Sequence, residues 1–518
     1  MKKLPVGIQS FEKIREQPDQ FYYVDKTPFV KKLLEQGGGY FFLSRPRRFG
    51  KSLFVDTLRQ AFLAKKEYFQ GLYLENNWDW NTAYPVIHVS FGSGVMGSLE
   101  ELELTQMEIL GRNCRLYGIE HLDSPTIRGK FFELIKRLHE KHGQKVVVLI
   151  DEYDKPFLDN IANTSLAVEM SVKLISLYSV LKDADVHLKF VFITGVSKFS
   201  RASLFSGLNH LNDITLDARF STLCGYTQKE LETVFADQLE GLDKGRIRQW
   251  YNGYSWLGEK VYNPFDILLY FSERQFRSFW FETGTPRFLI ELLMGNHYPI
   301  ARLENLVIGE EIIDSFDVDR ILVEALLFQT GYLTIERMDE NMVGRRTYQL
   351  AYPNMEVKSS LNRWILNELV EDVEAKSANE TRLIRAIQTK SFNDLRDIFH
   401  SFFASIPHDW YRKNELSGYE GYYASIFYCY FAACGFEIRA EDATNHGRMD
   451  LSLFYEDICC IFEFKVLENA GEGSAMAQLK DRKYHEKYQG SRKEIYLVAV
   501  EFSKKDRNIE NFEVEKVS

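Results

Sequence analysis

Short runs that are apolar at nearly every position recur along the first 235 residues: YFFLS at 40–44, Val86 to Phe91, VVVLI at 146–150 and FVFI at 190–193. A strand with one wet face alternates apolar and polar residues, whereas a run without alternation is buried on both faces. Stretches with helical spacing lie between these runs, at 53–62, 100–140 and 166–182. Dry strands alternating with helices predict a parallel sheet covered on both faces. The chain is expected to be α/β and multidomain, since its 518 residues leave room for about three domains of roughly 150 residues.

The pattern changes three times downstream. Residues 1–235 carry the parallel-sheet signal, and 236–312 are helical and aromatic-rich, as expected of a helical lid. In 313–405, a short helix (RILVEALLFQ), the turn Thr330-Gly331 and the pieces YLTIERM and RTYQLAY around DENMVG resemble a winged helix with a helical connector. Residues 406–518 read helix, hairpin, helix, strand.

Composition then excludes several classes. With 45% hydrophobic and 27% charged residues the chain is not disordered at large. A formal charge of −10 excludes coating nucleic acid by bulk charge, so any such contact needs a local patch. Six cysteines without a CxxC spacing argue against a disulfide scaffold or a thiolate zinc site. The start, MKKLPVGIQSFEKIREQ, has no apolar core of a secretory signal. The longest uncharged stretch, Tyr422 to Phe436, would make a helix of about 22 Å, short of a ~30 Å hydrocarbon layer. It is expected to be a buried helix, the protein to be cytoplasmic, and no membrane to be involved.

The first chemical signal follows the first strand. RPRRFGKS matches the end of the G-x-x-x-x-G-K-[ST] phosphate-loop template at Gly50, Lys51 and Ser52, with Arg45 where the first glycine belongs. Backbone N–H groups at the start of the next helix would cradle phosphates, Lys51 would reach the β/γ-phosphates, and Ser52 would ligate Mg²⁺. Arg47 and Arg48 add positive charge to the same loop. The second half is VVVLI-Asp151-Glu152, where Asp151 would stand by the magnesium and Glu152 would serve as base for the attacking water. Either half alone also reads as a solvated basic loop or a strand-ending turn. Together, in this order and on these elements, they point to an ATP site. Thr194, ending the KFVFI strand, is the candidate γ-phosphate sensor, and Arg287, after TGTP, the candidate lid arginine.

The second signal lies in GRMDLSLFYEDICCIFEFKV. A two-residue turn at Glu456-Asp457 would pair Tyr455 with Ile458. Asp450 would then fall opposite Glu463, Ser452 opposite Ile461, and the reverse face would be wholly apolar. Two carboxylates facing across a strand pair repel, and a cation between them resolves the conflict. Asp450 and Glu463 are the candidate Mg²⁺ ligands, with Lys465 placed to orient a metal-activated water or to stabilise charge on a phosphate. Glu420, before the apolar helix, could add a carboxylate, although an acid at a helix start needs no function. Residues 480–493 carry six Lys/Arg against Asp481 and Glu486, with Tyr484 and Tyr488 interleaved, which suits a nucleic-acid backbone.

These motifs carry a resemblance. YYVDKTPFV, RPRRFGKSL, VVVLIDEYDKP, TGVSKFSRASLFSGLN, YNPFDIL and ETGTPRFL resemble the bacterial AAA-ATPase-like family. EGYYASIFYCYFAACGF, GRMDLSLF, CIFEFK and Ala477-Gln478 resemble its usual C-terminal PD-(D/E)XK nuclease-superfamily domain. The resemblance implies that Arg45 is normal at its position and that Asp450, Glu463 and Lys465 form a nuclease core. It further implies Glu420 and Gln478 as supporting site residues, and Asp25 and Lys26 as part of an N-terminal motif near the nucleotide. The resulting expectation is an ATP-hydrolysing switch coupled to a metal-dependent endonuclease, using ATP and Mg²⁺, with Mn²⁺ an option at the nuclease site. DNA is the expected partner, RNA and a homo-oligomer stay open, and defence against foreign DNA, mobile-element biology and repair all fit. The alternatives are an ATP-dependent DNA-binding or signalling module that does not cut, and a nuclease that binds nucleotide only for stability.

Overall fold

The computed structural model describes residues 2–198, 210–282, 289–290, 292–293, 298–313, 322–369, 373–406, 420–444, 447–467, 474–490 and 494–517. The chain divides into two compact units, Met1–Gly284 with Val307–Gln349, and Thr285–Leu306 with Leu350–Ser518. This division is coarser than the four segments read from the sequence, and it places 350–405 with the C-terminal unit.

The first unit is built on strands β1 (Tyr40–Ser44), β2 (Val86–Ser90), β3 (Val146–Asp151), β4 (Leu188–Gly195) and β5 (Asn212–Asp213). They form a parallel sheet in the order β2-β3-β4-β1-β5. Every residue of β1 and β3 is buried, as the unalternating runs require. The consequence for function is positional. β4 lies between β1 and β3, so the loop after β1, Thr194 near the end of β4 and Asp151 at the end of β3 share one sheet edge. The stretch Thr164–Asp183 is long and apolar enough to cross a membrane, yet Ala167, Met170, Leu174, Leu177 and Leu181 are buried in this unit.

Downstream, β6 (Tyr226–Thr227), β7 (Asn252–Tyr254) and β8 (Val261–Tyr262) form a small sheet, order β6-β8-β7, in a stretch read from the sequence as helical with a glycine-containing break at 251–258. Two- and three-residue strands leave no periodicity to detect. The winged-helix-like pattern appears as helix Val323–Thr330, capped by Gly331 at φ +93°, followed by β10 (Thr334–Glu340) and β11 (Arg346–Ala351). A further strand, β9 (Leu306–Gly309), completes the order β10-β11-β9.

The second unit carries helix Glu420–Ala433 and strands β12 (Glu437–Thr444), β13 (Gly447–Tyr455), β14 (Ile458–Leu467), β15 (Glu494–Ser503) and β16 (Asn508–Lys516). Their order is β12-β13-β14-β15-β16, antiparallel except for the parallel pair β14/β15. Helix Glu420–Ala433 buries residues on every side, from Tyr422 to Ala433, which makes it the core helix that its composition predicts. The β13/β14 hairpin has the expected register: Tyr455 pairs with Ile458, Leu453 with Cys460 and Leu451 with Phe462.

Candidate functional site

The phosphate loop runs from β1 into helix Lys51–Phe62, whose N-cap Gly50 takes a left-handed φ of +89°. An L-residue with a side chain resists that conformation, so glycine is needed there. Lys51 is buried, and its Nζ donates to the carbonyls of Arg45 (2.9 Å) and Pro46 (2.8 Å). Burial lowers its pKa, while Asp151 acts to raise it. Ser52 faces the Asp151 carboxylate and acts to lower its pKa, which joins the two halves of the sequence motif. Burial pushes Asp151 up to about 6 in spite of Ser52 and Lys51. A carboxylate whose charge is desolvated and only partly offset by its neighbours is poised for a cation.

Glu152 sits beyond the strand end at φ +52°, and its Oε2 lies near Gly92, 3.2 Å from where a Cβ would stand. Thr194 is fully buried, and its Oγ1 has no hydrogen-bond partner. Such a hydroxyl is costly unless something satisfies it. Arg47 and Arg48 have other partners: Arg47 Nη2 lies 3.7 Å from Asp159, and Arg48 lies over the Phe265 ring at 4.7 Å. Asp25 and Lys26 likewise serve local structure. Asp25 accepts from Thr27 and Tyr73, while Lys26 Nζ donates to the Thr222 carbonyl and to Glu230 (2.7 Å). Arg287 lies outside the described residues.

The second site gathers in the C-terminal unit. Regular pairing of β13 with β14 ends at Leu451–Phe462, and β12/β13 pairing skips the Glu441–Asp450 position, where Glu441 has φ +48°. Asp450 therefore stands in a gap in the ladder, and its Oδ2 accepts the Phe464 N–H at 2.8 Å. Glu463 is 4% exposed; Gln478, on helix Ala475–Asp481, donates to its Oε1. The other oxygen, Oε2, is buried with no partner. Glu420 reaches the far end of β14, its Oε1 accepting the Val466 N–H at 3.2 Å. Lys465 is half-buried two residues along from Glu463.

Each of these acids feels the charge of its neighbours. Burial, then the charges of Asp450 and Glu420, push Glu463 up to about 8. Burial raises Asp450 to about 6, with Glu420 and Glu441 adding to it. The Arg482 charge partly opposes the rise at Glu463. Among the described residues no three His, Cys, Asp or Glu side chains are grouped to hold a metal, so an ion here would rest on Asp450 and Glu463 plus water or main-chain oxygen. The donor set still fits a hard divalent cation, because it is all oxygen and leaves Glu463 Oε2 orphaned. Sequence reasoning missed Glu441, and it read Arg482 and Tyr484 only as part of a basic stretch for nucleic acid; in the structure the Arg482 charge acts on Glu463 and the Tyr484 hydroxyl donates to the Arg448 carbonyl at 2.8 Å. Their roles depend on a left-handed residue and on a turn, which leave no spacing signal.

Comparison with known proteins gives the same division of labour. A family model described as "Predicted AAA-ATPase" matches residues 5–205, and one described as "PD-(D/E)XK nuclease superfamily" matches 418–512. The chain is 48% identical over 516 residues to a protein of Azotobacter chroococcum mcd 1 described as "Uncharacterized protein in vnfD 5'region". That match covers 100% of this chain and 99% of the relative. The chain belongs to the family of AAA-ATPase-like proteins that carry a C-terminal PD-(D/E)XK nuclease-superfamily domain.

Proposed function

We propose that the chain is an ATP-hydrolysing switch governing a metal-dependent nuclease that acts on DNA. The observation that carries this reading is the pair of half-buried Asp450 and buried Glu463, each held above the ordinary carboxylate range partly by neighbouring carboxylates. Two acids confined in this way make sense as ligands for a cation. Asp450 and Glu463 would hold Mg²⁺ or Mn²⁺, with Glu420 in support. When bound, the ion supplies a Lewis acid and a more acidic water. Gln478 fixes the Glu463 carboxylate, and Lys465 stabilises charge developing on the phosphate. Arg482, Lys483 and Lys487 would track the nucleic-acid backbone.

In the first unit Lys51, Gly50 and the loop N–H groups would bind the phosphates of ATP, and Ser52 and Asp151 would hold Mg²⁺. Glu152 would take the proton of the attacking water, and Thr194 would contact the γ-phosphate. Arg47 and Arg48 would join only by leaving Asp159 and Phe265. All six cysteines are free thiols, which supports a cytoplasmic setting; defence against foreign DNA or mobile-element biology are the contexts we favour. The test is strand scission by the full chain on plasmid DNA and on RNA, with and without ATP and Mg²⁺ or Mn²⁺. Scission that needs metal and disappears with Asp450→Ala is expected. Metal-independent scission refutes the site. Binding of DNA and Mn²⁺ without scission supports the non-cutting module instead.

A further inference from the structure

Arg45 replaces the first glycine of the phosphate-loop template, and no step above uses its side chain. It is fully buried. Positive φ falls on Arg48 (+68°) and Gly50 (+89°), and Arg45 is not among the positive-φ residues. The freedom of glycine is therefore needed at the end of this loop and not at its start. The Arg45 guanidinium has fixed partners. Its Nη1 donates to the Ser44 (2.8 Å) and Thr215 (2.9 Å) carbonyls, and its Nη2 to Phe220 (3.4 Å). The head lies 4.1 Å from the Trp256 ring centroid, a distance at which a desolvated cation gains from the ring. The main chain is fastened too: Arg45 N–H donates to the Gly195 carbonyl (3.1 Å), and Ser44 N–H to the Thr215 hydroxyl (3.0 Å).

The rest of the loop is gripped in the same manner. Phe49 packs edge-on against Tyr254 (4.7 Å) and Trp256 (5.4 Å), and the Trp280 indole donates to the Arg47 carbonyl (3.2 Å). Gly331 backs onto Pro46 so closely that an added Cβ would lie 2.7 Å from its Cγ. A glycine-rich loop is shaped by its backbone, whereas this one is shaped by side chains lodged in an aromatic wall.

Resting on the reading of this loop as the ATP site, we propose that Arg45 is a positioning residue that locks the loop onto Trp256 and the 215–220 segment. The lock presents Lys51 and the loop N–H groups to the phosphates. Arg45 does not touch the nucleotide; it acts through the loop. The variants Arg45→Gly, which restores the template, Arg45→Lys, which keeps the charge, and Trp256→Leu, which leaves the loop sequence intact, separate the possibilities. Binding of a fluorescent ATP analogue, steady-state ATP turnover and thermal melts are measured on each full-length chain.

Arg45→Gly and Trp256→Leu are each expected to raise the KM for ATP at least ~10-fold, with kcat at saturation changed less than about threefold. Arg45→Lys should recover only part of the loss, because an ammonium cannot reproduce a planar fork. The double variant should be scarcely worse than either single one, since the two side chains act as a unit. Arg45→Gly with a wild-type KM, or losses that simply add, would overturn the proposal. If Arg45→Gly fails to fold, the Trp256→Leu result decides. A wild-type chain that binds no ATP would instead refute the ATP reading, and Arg45's role with it.

Discussion

Lys51 and Glu152 stand at one sheet edge with different proposed tasks, and single substitutions should separate them. Lys51→Ala removes the buried ammonium that now rests on the Arg45 and Pro46 carbonyls; ATP binding and turnover should both be lost. Glu152→Gln keeps shape and size but cannot accept a proton. It should retain ATP and slow hydrolysis by roughly 10²–10⁴-fold, and turnover at the wild-type rate would refute its role as base. In the proposed nuclease site, Asp450→Ala should abolish Mn²⁺ binding measured by calorimetry, whereas Lys465→Ala should spare binding and depress cleavage by about 10²-fold. The pH dependence follows from direction. Folding raises the Glu463 pKa to about 8, so between the ordinary carboxylate range and pH 8 the folded state binds more protons than the unfolded one. Without metal, this group's contribution to stability is therefore lost as pH rises through that window. Mn²⁺ should reverse the loss, so its stabilising effect in thermal melts should be larger at pH 8.5 than at pH 5.5. An equal effect at both would mean that the ion does not bind Glu463.

At the scale of elements, what the sequence made legible was whatever has a dry face. β1, β3 and β4 are readable because nearly every position is apolar, and the β13/β14 register because a one-residue slip would expose Leu451, Leu453 and Phe462. β12 (EIRAEDAT) and β16 (NIENFEVEK) escaped because they are edge strands of the sheet rich in polar residues. The clasp between β3 and β4 was also invisible. Fully buried Asp154, three residues past Asp151, accepts from Val196 N–H (3.0 Å) and from Ser197 N–H (2.6 Å) and Oγ (2.7 Å). Tyr153 adds its N–H to the Thr194 carbonyl at 3.1 Å. The acid looks like surface punctuation in DEYD; only the fold turns it inward. Gly195 is the consequence, since a Cβ there would lie 2.4 Å from Asp154 Oδ1 and 2.6 Å from Tyr153 Cδ1. Gly195→Ala should cost roughly 1–3 kcal/mol in urea unfolding of the first unit. It should also depress ATP turnover by displacing Thr194. Wild-type stability in that variant would show that the clasp yields freely.

For the whole molecule, the question is whether the nucleotide governs the nuclease. The switch has two states only if some ligand binds one better than the other; equal binding shifts nothing. The two site variants supply both limits. Lys51→Ala should fail to hold ATP, so it reports the empty state. Glu152→Gln should hold ATP and turn it over only slowly, so it reports the loaded state. Strand scission by these two chains, at saturating Mn²⁺ and with ATP present, should differ at least ~10-fold, the effect of a coupling free energy of about 1.4 kcal/mol. The wild type should fall between them and move toward the empty limit as ATP is consumed. The order of the two limits assigns the switch. Faster cleavage by Glu152→Gln means that ATP binding licenses the nuclease, and faster cleavage by Lys51→Ala means that ATP restrains it. Equal rates in the two variants would refute coupling. Asp450→Ala in either background should abolish scission, which ties the signal to the second unit and excludes a contaminating nuclease.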